Sequence, residues 1–182
     1  MPEGVSCLQA SPPLTYPRLY VGLLSGEVLI FDGNYRQLLS VAPPVKTRSP
    51  VCFMAQLDGQ GRQVGLGRRA EAPQFLLVVW SREIAIYKLG MECEKPVAMT
   101  GLMDDCLSVC CVSDSAQRSA LYLADAEGKL WCLSLLDLNE VGEMSMDDCT
   151  SLWDTETLSR LHHLWGWEGA FFLLPTTANE LL

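Results

Sequence analysis

Long hydrophobic runs are missing from this 182-residue chain; Phe75 to Trp80 and Ala170 to Leu174 are the longest, well short of the roughly 20 apolar residues a membrane-spanning helix needs. No membrane insertion is expected. Met1-Pro2-Glu3-Gly4 has neither the basic start nor the apolar stretch of a secretory signal, which makes the cytoplasm the expected address. Positive charge is scarce: 13 Lys and Arg stand against 22 Asp and Glu, for a net charge of −9. Such a field repels phosphate backbones and anionic lipid, so no nucleic-acid partner is expected. Histidine is nearly absent, and the only two, His162 and His163, are adjacent and do not share a face as a ligand pair would. No serine lies in Gly-x-Ser-x-Gly, and the thiols do not form Cys-x-x-Cys.

What is present is a globular composition, with 49% hydrophobic and 19% charged residues. Eight cysteines without an export signal, most of them inside apolar segments, read as free buried thiols rather than a disulfide framework. Three of them mark a repeat: Val5-Ser6-Cys7-Leu8, Val51-Cys52-Phe53-Met54 and Val109-Cys110-Cys111-Val112. Each is followed by two apolar strands around a tight polar turn. From Cys7 to Cys52 is 45 residues and from Cys52 to Cys110 is 58, whereas Val28, Ile84 and Leu130 are separated by 56 and then 46. The surplus of 11 to 12 residues therefore falls between the first and second strands of the second cycle, in an inserted loop over 58–74.

The period-2 patterning predicts four strands per cycle. They fall near 5–10, 18–24, 27–32 and 36–41, then near 50–57, 75–80, 83–89 and 96–101, then near 107–113, 119–125, 129–135 and 141–146. Ser25-Gly26 and Ser81-Arg82 read as two-residue turns, and the third turn falls around Ala126 to Gly128. Leu158, Leu161 and Leu164 recur at helical spacing behind a possible Thr155-Glu156-Thr157 cap, which predicts a short helix over 155–165. Gly169 to Leu174 then returns to strand character. The expected organisation is a single β-repeat domain, 1–182, with cycles near 5–41, 51–101, 107–146 and an incomplete 149–182.

Four-stranded cycles of about 45 residues with terse turns such as Gly26-Glu27 and Gly128-Lys129 resemble the blades of a WD-repeat-like β-propeller. The likeness lies in the pattern: no cycle carries the Gly-His element, and the third strands end in Phe31-Asp32, Tyr87-Lys88 and Leu133-Ser134 where Trp-Asp would stand. The resemblance implies an all-β fold, a partial propeller of about three full blades plus an incomplete fourth. A compact β-sandwich is the other architecture the pattern allows. Propellers need about four to eight blades to close. The resemblance therefore implies a fragment, a truncated isoform, or a subunit whose open edges a partner chain completes or covers.

Several residues stand out as candidates. Arg62, Arg68 and Arg69 make the inserted loop basic on an acidic chain, which suits an acidic protein partner; the plain alternative is a solvated loop. Its glycines lack the Lys-Ser/Thr ending of a phosphate loop, and Asp58 is a lone carboxylate where calcium needs several oxygens, so no cofactor or metal is expected. Trp165 and Trp167, beside the unfinished cycle, are either core aromatics or partner anchors. Cys7, Cys52 and Cys110 occupy equivalent positions and are assigned to the core. Two functions follow: a non-enzymatic protein-interaction scaffold or adaptor, or a thiol-dependent enzyme or redox protein using Cys110 or Cys111 with a histidine. A fragment that folds only inside a larger assembly is a third.

Overall fold

A computed structural model describes residues 4–11, 17–43, 49–64, 73–90, 95–102, 105–113, 119–125, 130–135, 140–144, 161–167 and 170–175. Every element among them is a strand. Successive strands lie side by side in three four-stranded antiparallel sheets with no crossover, as the all-β reading expects. The first sheet contains β1 (Val5–Ala10), β2 (Arg18–Leu23), β3 (Val28–Asp32) and β4 (Gln37–Val41). The second contains β5 (Val51–Leu57), β6 (Phe75–Trp80), β7 (Glu83–Lys88) and β8 (Pro96–Gly101). The third contains β9 (Cys106–Ser113), β10 (Ser119–Asp125), β11 (Leu130–Ser134) and β12 (Glu140–Met144). A two-stranded sheet of β13 (Leu161–Trp167) and β14 (Ala170–Pro175) follows.

The chain divides into two compact units, Met1–Leu102 and Met103–Leu182. In the first unit, alternation sends Tyr20, Val28, Ile30 and Val41 to one face of the first sheet, where they pack against Val51, Met54, Leu76, Val78, Trp80, Ala85 and Tyr87 of the second. Both faces of the second sheet are buried, since Leu77, Val79, Ile84 and Ile86 on its opposite side are also withdrawn from solvent. This explains why Phe75 to Trp80 lacks alternation. The two sheets approach closely at Gly22, where a Cβ would lie 2.7 Å from that of Val51. Trp80 fastens the pair: wholly buried, it donates its indole Nε1–H to the Gly26 carbonyl at 2.7 Å.

The hairpin expected to turn on two residues, Ser25-Gly26, turns on three. The Leu23 N–H donates to the Glu27 carbonyl at 2.9 Å and the Gly26 N–H to the Leu23 carbonyl at 3.0 Å. This is a three-residue loop whose last member is left-handed, and Gly26, at φ 88°, takes that conformation without a Cβ penalty. The difference has a simple cause: β2 ends at Leu23, so Leu24 joins Ser25 and Gly26 in the loop while Glu27 stays bonded opposite Leu23.

The helix expected over 155–165 is corrected in its second half. Leu161 to Trp165 belong to β13, with Leu164, Trp165 and Gly166 opposite Leu173, Phe172 and Phe171 of β14. Cross-strand pairing with an apolar, β-prone segment overrides the three-residue leucine spacing. Residues 155–160 of that expectation lie outside the described residues.

Candidate interaction surfaces

The inserted loop begins as an annex of the second sheet. The Asp58 N–H donates to the Arg62 carbonyl at 2.9 Å and the Gly61 N–H returns to the Asp58 carbonyl at 3.1 Å. Leu57 bridges Gln63, and the Val64 N–H donates to the Gln56 carbonyl at 2.8 Å, which seats Val64 in a buried position. At the far end the Gln74 N–H donates to the Leu57 carbonyl, closing the excursion onto the strand it left.

Asp58 organises this turn. Its Oδ1 accepts the N–H groups of Gln60 at 2.8 Å and Arg62 at 3.0 Å, and its Oδ2 accepts Arg62 Nε at 2.7 Å. Burial pushes the Asp58 carboxyl up, but the two N–H donors together with the Arg62 guanidinium outweigh burial and hold it below the usual carboxylate range. The guanidinium of Arg62 is thus spent in part on an internal ion pair. Arg68 and Arg69 lie outside the described residues.

The same turn occurs between β3 and β4. Asp32 Oδ1 accepts from Asn34 at 2.8 Å and from Arg36 at 2.9 Å, the Asp32 N–H donates to the Arg36 carbonyl, and Tyr35 holds φ 60° where Gly61 holds φ 76°. The sequence signal is visible in retrospect as Asp-Gly-x-x-Arg at 32–36 and 58–62.

The first sheet also presents a surface that the sequence reading did not single out. Opposite the packed face, Leu8, Val21 and Leu29 lie directly across one another on β1, β2 and β3, with Leu19 opposite Phe31 in a second row. Leu8 is 62% exposed, and neighbouring Val5 and Leu24 are each 56% exposed. Beyond the Leu19–Phe31 pair Arg18 stands opposite Asp32, on the Tyr20 side of the sheet by alternation, while at the other end Ser40 donates a hydrogen bond to Glu27. Val21 is nevertheless buried and Leu19, Leu29 and Phe31 are half-buried, so the exposed apolar area of this face lies mainly at Val5 and Leu8.

The cysteines divide. Cys7 lies on the packed side of the first sheet, and burial, partly offset by backbone donors of Met54 and Leu8, pushes its thiol above the usual range. Cys52 is corrected: the register shift between Val51 and Phe53 leaves it exposed, its Sγ 3.6 Å from the Pro50 carbonyl oxygen, rather than in the core. Cys110 and Cys111 stand opposite Tyr122 and Leu121, Cys111 being half-buried. Among the described residues no group of three His, Cys, Asp or Glu is placed to hold a metal. No helix among them is long and apolar enough to cross a membrane. Trp165 and Trp167 stand opposite Phe172 and Ala170 in the β13–β14 register, in the other unit from Arg62.

No protein family model and no curated protein matches the chain. Solved structures do match in fold. The WD40 domain of Neurospora crassa Pan2 is similar over 95% of this chain and 44% of its own, with a TM-score of 0.65 and 12% identity. Raptor of Chaetomium thermophilum is similar over 92% of this chain and 14% of its own, at TM-score 0.63 and 12% identity. BBS1N, solved in complex with ARL6DN, is similar over 93% of this chain and 44% of its own, at TM-score 0.60 and 13% identity. The chain thus spans less than half the length of the solved chains it matches, and its sheets have the fold of β-propeller domains.

Proposed function

We propose that the chain is a non-enzymatic protein-interaction scaffold, a divergent WD-repeat-like set of propeller blades that works within a larger assembly. The outward face of the first sheet carries this reading: Val5 and Leu8, largely exposed beside half-buried Leu19, Leu29 and Phe31, suit a partner surface. The likeness to BBS1N, whose structure holds a protein partner, supports it by analogy of fold. Arg62, Arg68 and Arg69 are proposed as a second, electrostatic contact for an acidic segment, with Trp165 and Trp167 as further anchors. The cytoplasm is the proposed location, in line with the free thiols at Cys7, Cys52, Cys106, Cys111 and Cys132.

Affinity capture from lysate tests the scaffold reading, comparing the wild-type chain with the combined Arg62→Glu, Arg68→Glu and Arg69→Glu variant. Loss of at least one reproducible protein is expected. Identical captured sets from a folded variant would remove the arginines from the proposal, and no reproducible partner for either chain would refute the scaffold reading.

One observation favours a thiol enzyme as the second reading: β13, which carries His162 and His163, runs beside β9, which carries Cys110 and Cys111. Its signature would be a single hyper-reactive thiol on β9.

A further inference from the structure

We propose that the turn between β3 and β4 is a protein-binding element, in which Tyr35, Arg36 and Leu38 take a segment of another protein that sets acidic residues beside apolar ones. The proposal rests on the scaffold reading and gives one partner its chemistry.

The two Asp-Gly-x-x-Arg turns share a backbone and differ in what that backbone carries. Each aspartate accepts the N–H groups two and four residues on, and each turn sets its fourth residue in the left-handed region. At 58–62 that residue is Gly61, which takes φ 76° without penalty. At 32–36 it is Tyr35, at φ 60°, where a Cβ crowds the following carbonyl oxygen. The turn thus holds a bulky side chain at a position where glycine would be more stable. Packing does not offset the strain, since Tyr35 is 79% exposed, more than any other large apolar side chain among the described residues. Strain of this kind collects where a side chain is held out for a ligand or partner.

The arginines of the two turns diverge as well. Arg62 turns its guanidinium back onto Asp58, Nε to Oδ2 at 2.7 Å. Arg36 gives Asp32 its backbone N–H, and among the described residues its exposed guanidinium has no ion pair. Arg18, opposite Asp32, brings a second cation to this end of the sheet, so two arginines stand against one aspartate on a chain whose net charge is −9. Leu38 is the extra residue of a bulge: Phe31 pairs with Gln37 and Ile30 with Leu39, and Leu38, left between them, is 47% exposed.

These three side chains define what fits. A guanidinium without an internal partner takes a carboxylate through two parallel N–H donors. A rigid aromatic ring and a nearby leucine take apolar side chains, and Tyr and Arg are residues on which binding energy concentrates. An extended segment with Asp or Glu next to Leu, Ile or Phe meets both demands, whereas a basic segment would be repelled.

The test selects a displayed library of random peptides on the purified full chain and measures binding of the selected peptides by fluorescence anisotropy. Peptides carrying Asp or Glu beside an apolar residue are expected, bound several-fold more weakly at about 0.5 M than at about 0.05 M NaCl. Tyr35→Gly relieves the strain, so it should raise the urea midpoint while weakening these peptides about 30-fold or more, which separates binding from folding. Arg36→Glu should weaken them about tenfold or more. Gln60→Ala, at an exposed position of the twin turn, is the control that should leave binding unchanged.

Selected peptides that lack acidic residues, or that bind Tyr35→Gly as tightly as the wild type, would overturn the proposal, as would a library from which nothing is enriched. So would a Tyr35→Gly chain with a lower urea midpoint, since the ring would then serve the fold. Partners captured from lysate equally by the wild type and by Tyr35→Gly would also remove this turn from recognition, yet would leave the scaffold reading standing.

Discussion

Replacing Trp80 by phenylalanine removes a side-chain donor that ties the second sheet to the β2–β3 hairpin of the first. The indole is wholly buried and its N–H meets the Gly26 carbonyl at 2.7 Å. Phenylalanine cannot donate, so the carbonyl loses this partner in a dry environment, at a cost of about 1–3 kcal/mol. The missing ring atoms leave a void of roughly 40 Å³, adding about 1 kcal/mol at 24 cal/mol per Å³. The expected loss is therefore about 2–4 kcal/mol, a large share of the 5–15 kcal/mol typical of a folded protein. Urea titration followed by circular dichroism measures it as a lower midpoint with an unchanged slope.

Gly26→Ala provides an internal check on the same contact. A Cβ there would sit 2.5 Å from the Ser49 carbonyl oxygen on a backbone at φ 88°, so the turn must move and carry the acceptor away from Trp80. Both changes break one hydrogen bond, so the double variant should cost less than the two singles together, by about 0.5 kcal/mol or more. A Trp80→Phe chain within about 0.5 kcal/mol of wild type, or strict additivity with Gly26→Ala, would refute the claim that this bond holds the two sheets in place.

Other outcomes follow from the turns and thiols. Asp58→Ala should destabilise by about 1–3 kcal/mol at neutral pH, more than Asp58→Asn, which keeps an oxygen for the Gln60 and Arg62 N–H groups. Because the folded Asp58 carboxyl sits below its unfolded value near 3.9, its contribution is complete above about pH 5 and is lost as pH falls through the depressed folded value. The Asp58→Ala penalty should therefore shrink in acid, and a penalty unchanged below about pH 3 would contradict this sign. Tyr35→Gly, at an exposed residue with φ 60°, should raise the urea midpoint, by about 0.5–1 kcal/mol, and a lower midpoint would show that the tyrosine ring contributes more than the strain it imposes. In the folded chain Cys52 should be alkylated faster than Cys7, since Cys52 is exposed and burial raises the Cys7 thiol, and a β9 thiol that outpaces Cys52 would favour the enzyme reading.

The repeat was legible because each sheet is a run of consecutive strands, so side-chain alternation and turn spacing report directly on architecture. The helix expectation failed at Leu161 to Trp165 because a leucine every third residue suits a helix, while the partner strand that decides the matter lies beyond the window in which such spacing is read. The core assignment of Cys52 failed at a bulge, where one extra residue reverses the direction of a side chain that simple alternation would turn inward.

The candidate interaction site was legible only in part. Arg62 stood out by charge, yet its guanidinium serves Asp58, a pairing four residues apart that depends on the left-handed Gly61. The outward rows of the first sheet could not be recognised from residues alone, since Leu8, Leu29 and Phe31 look like core until the opposite face is seen to be filled by the second sheet.

Because each four-stranded sheet is a meander of sequence neighbours, its backbone partners are all close at hand along the polypeptide. A nascent chain can complete one sheet before the next has been synthesised, and little loop-closure entropy delays it. Evolution inherits the same freedom: a whole meander can be gained or dropped without leaving any strand of the remainder bereft of its ladder.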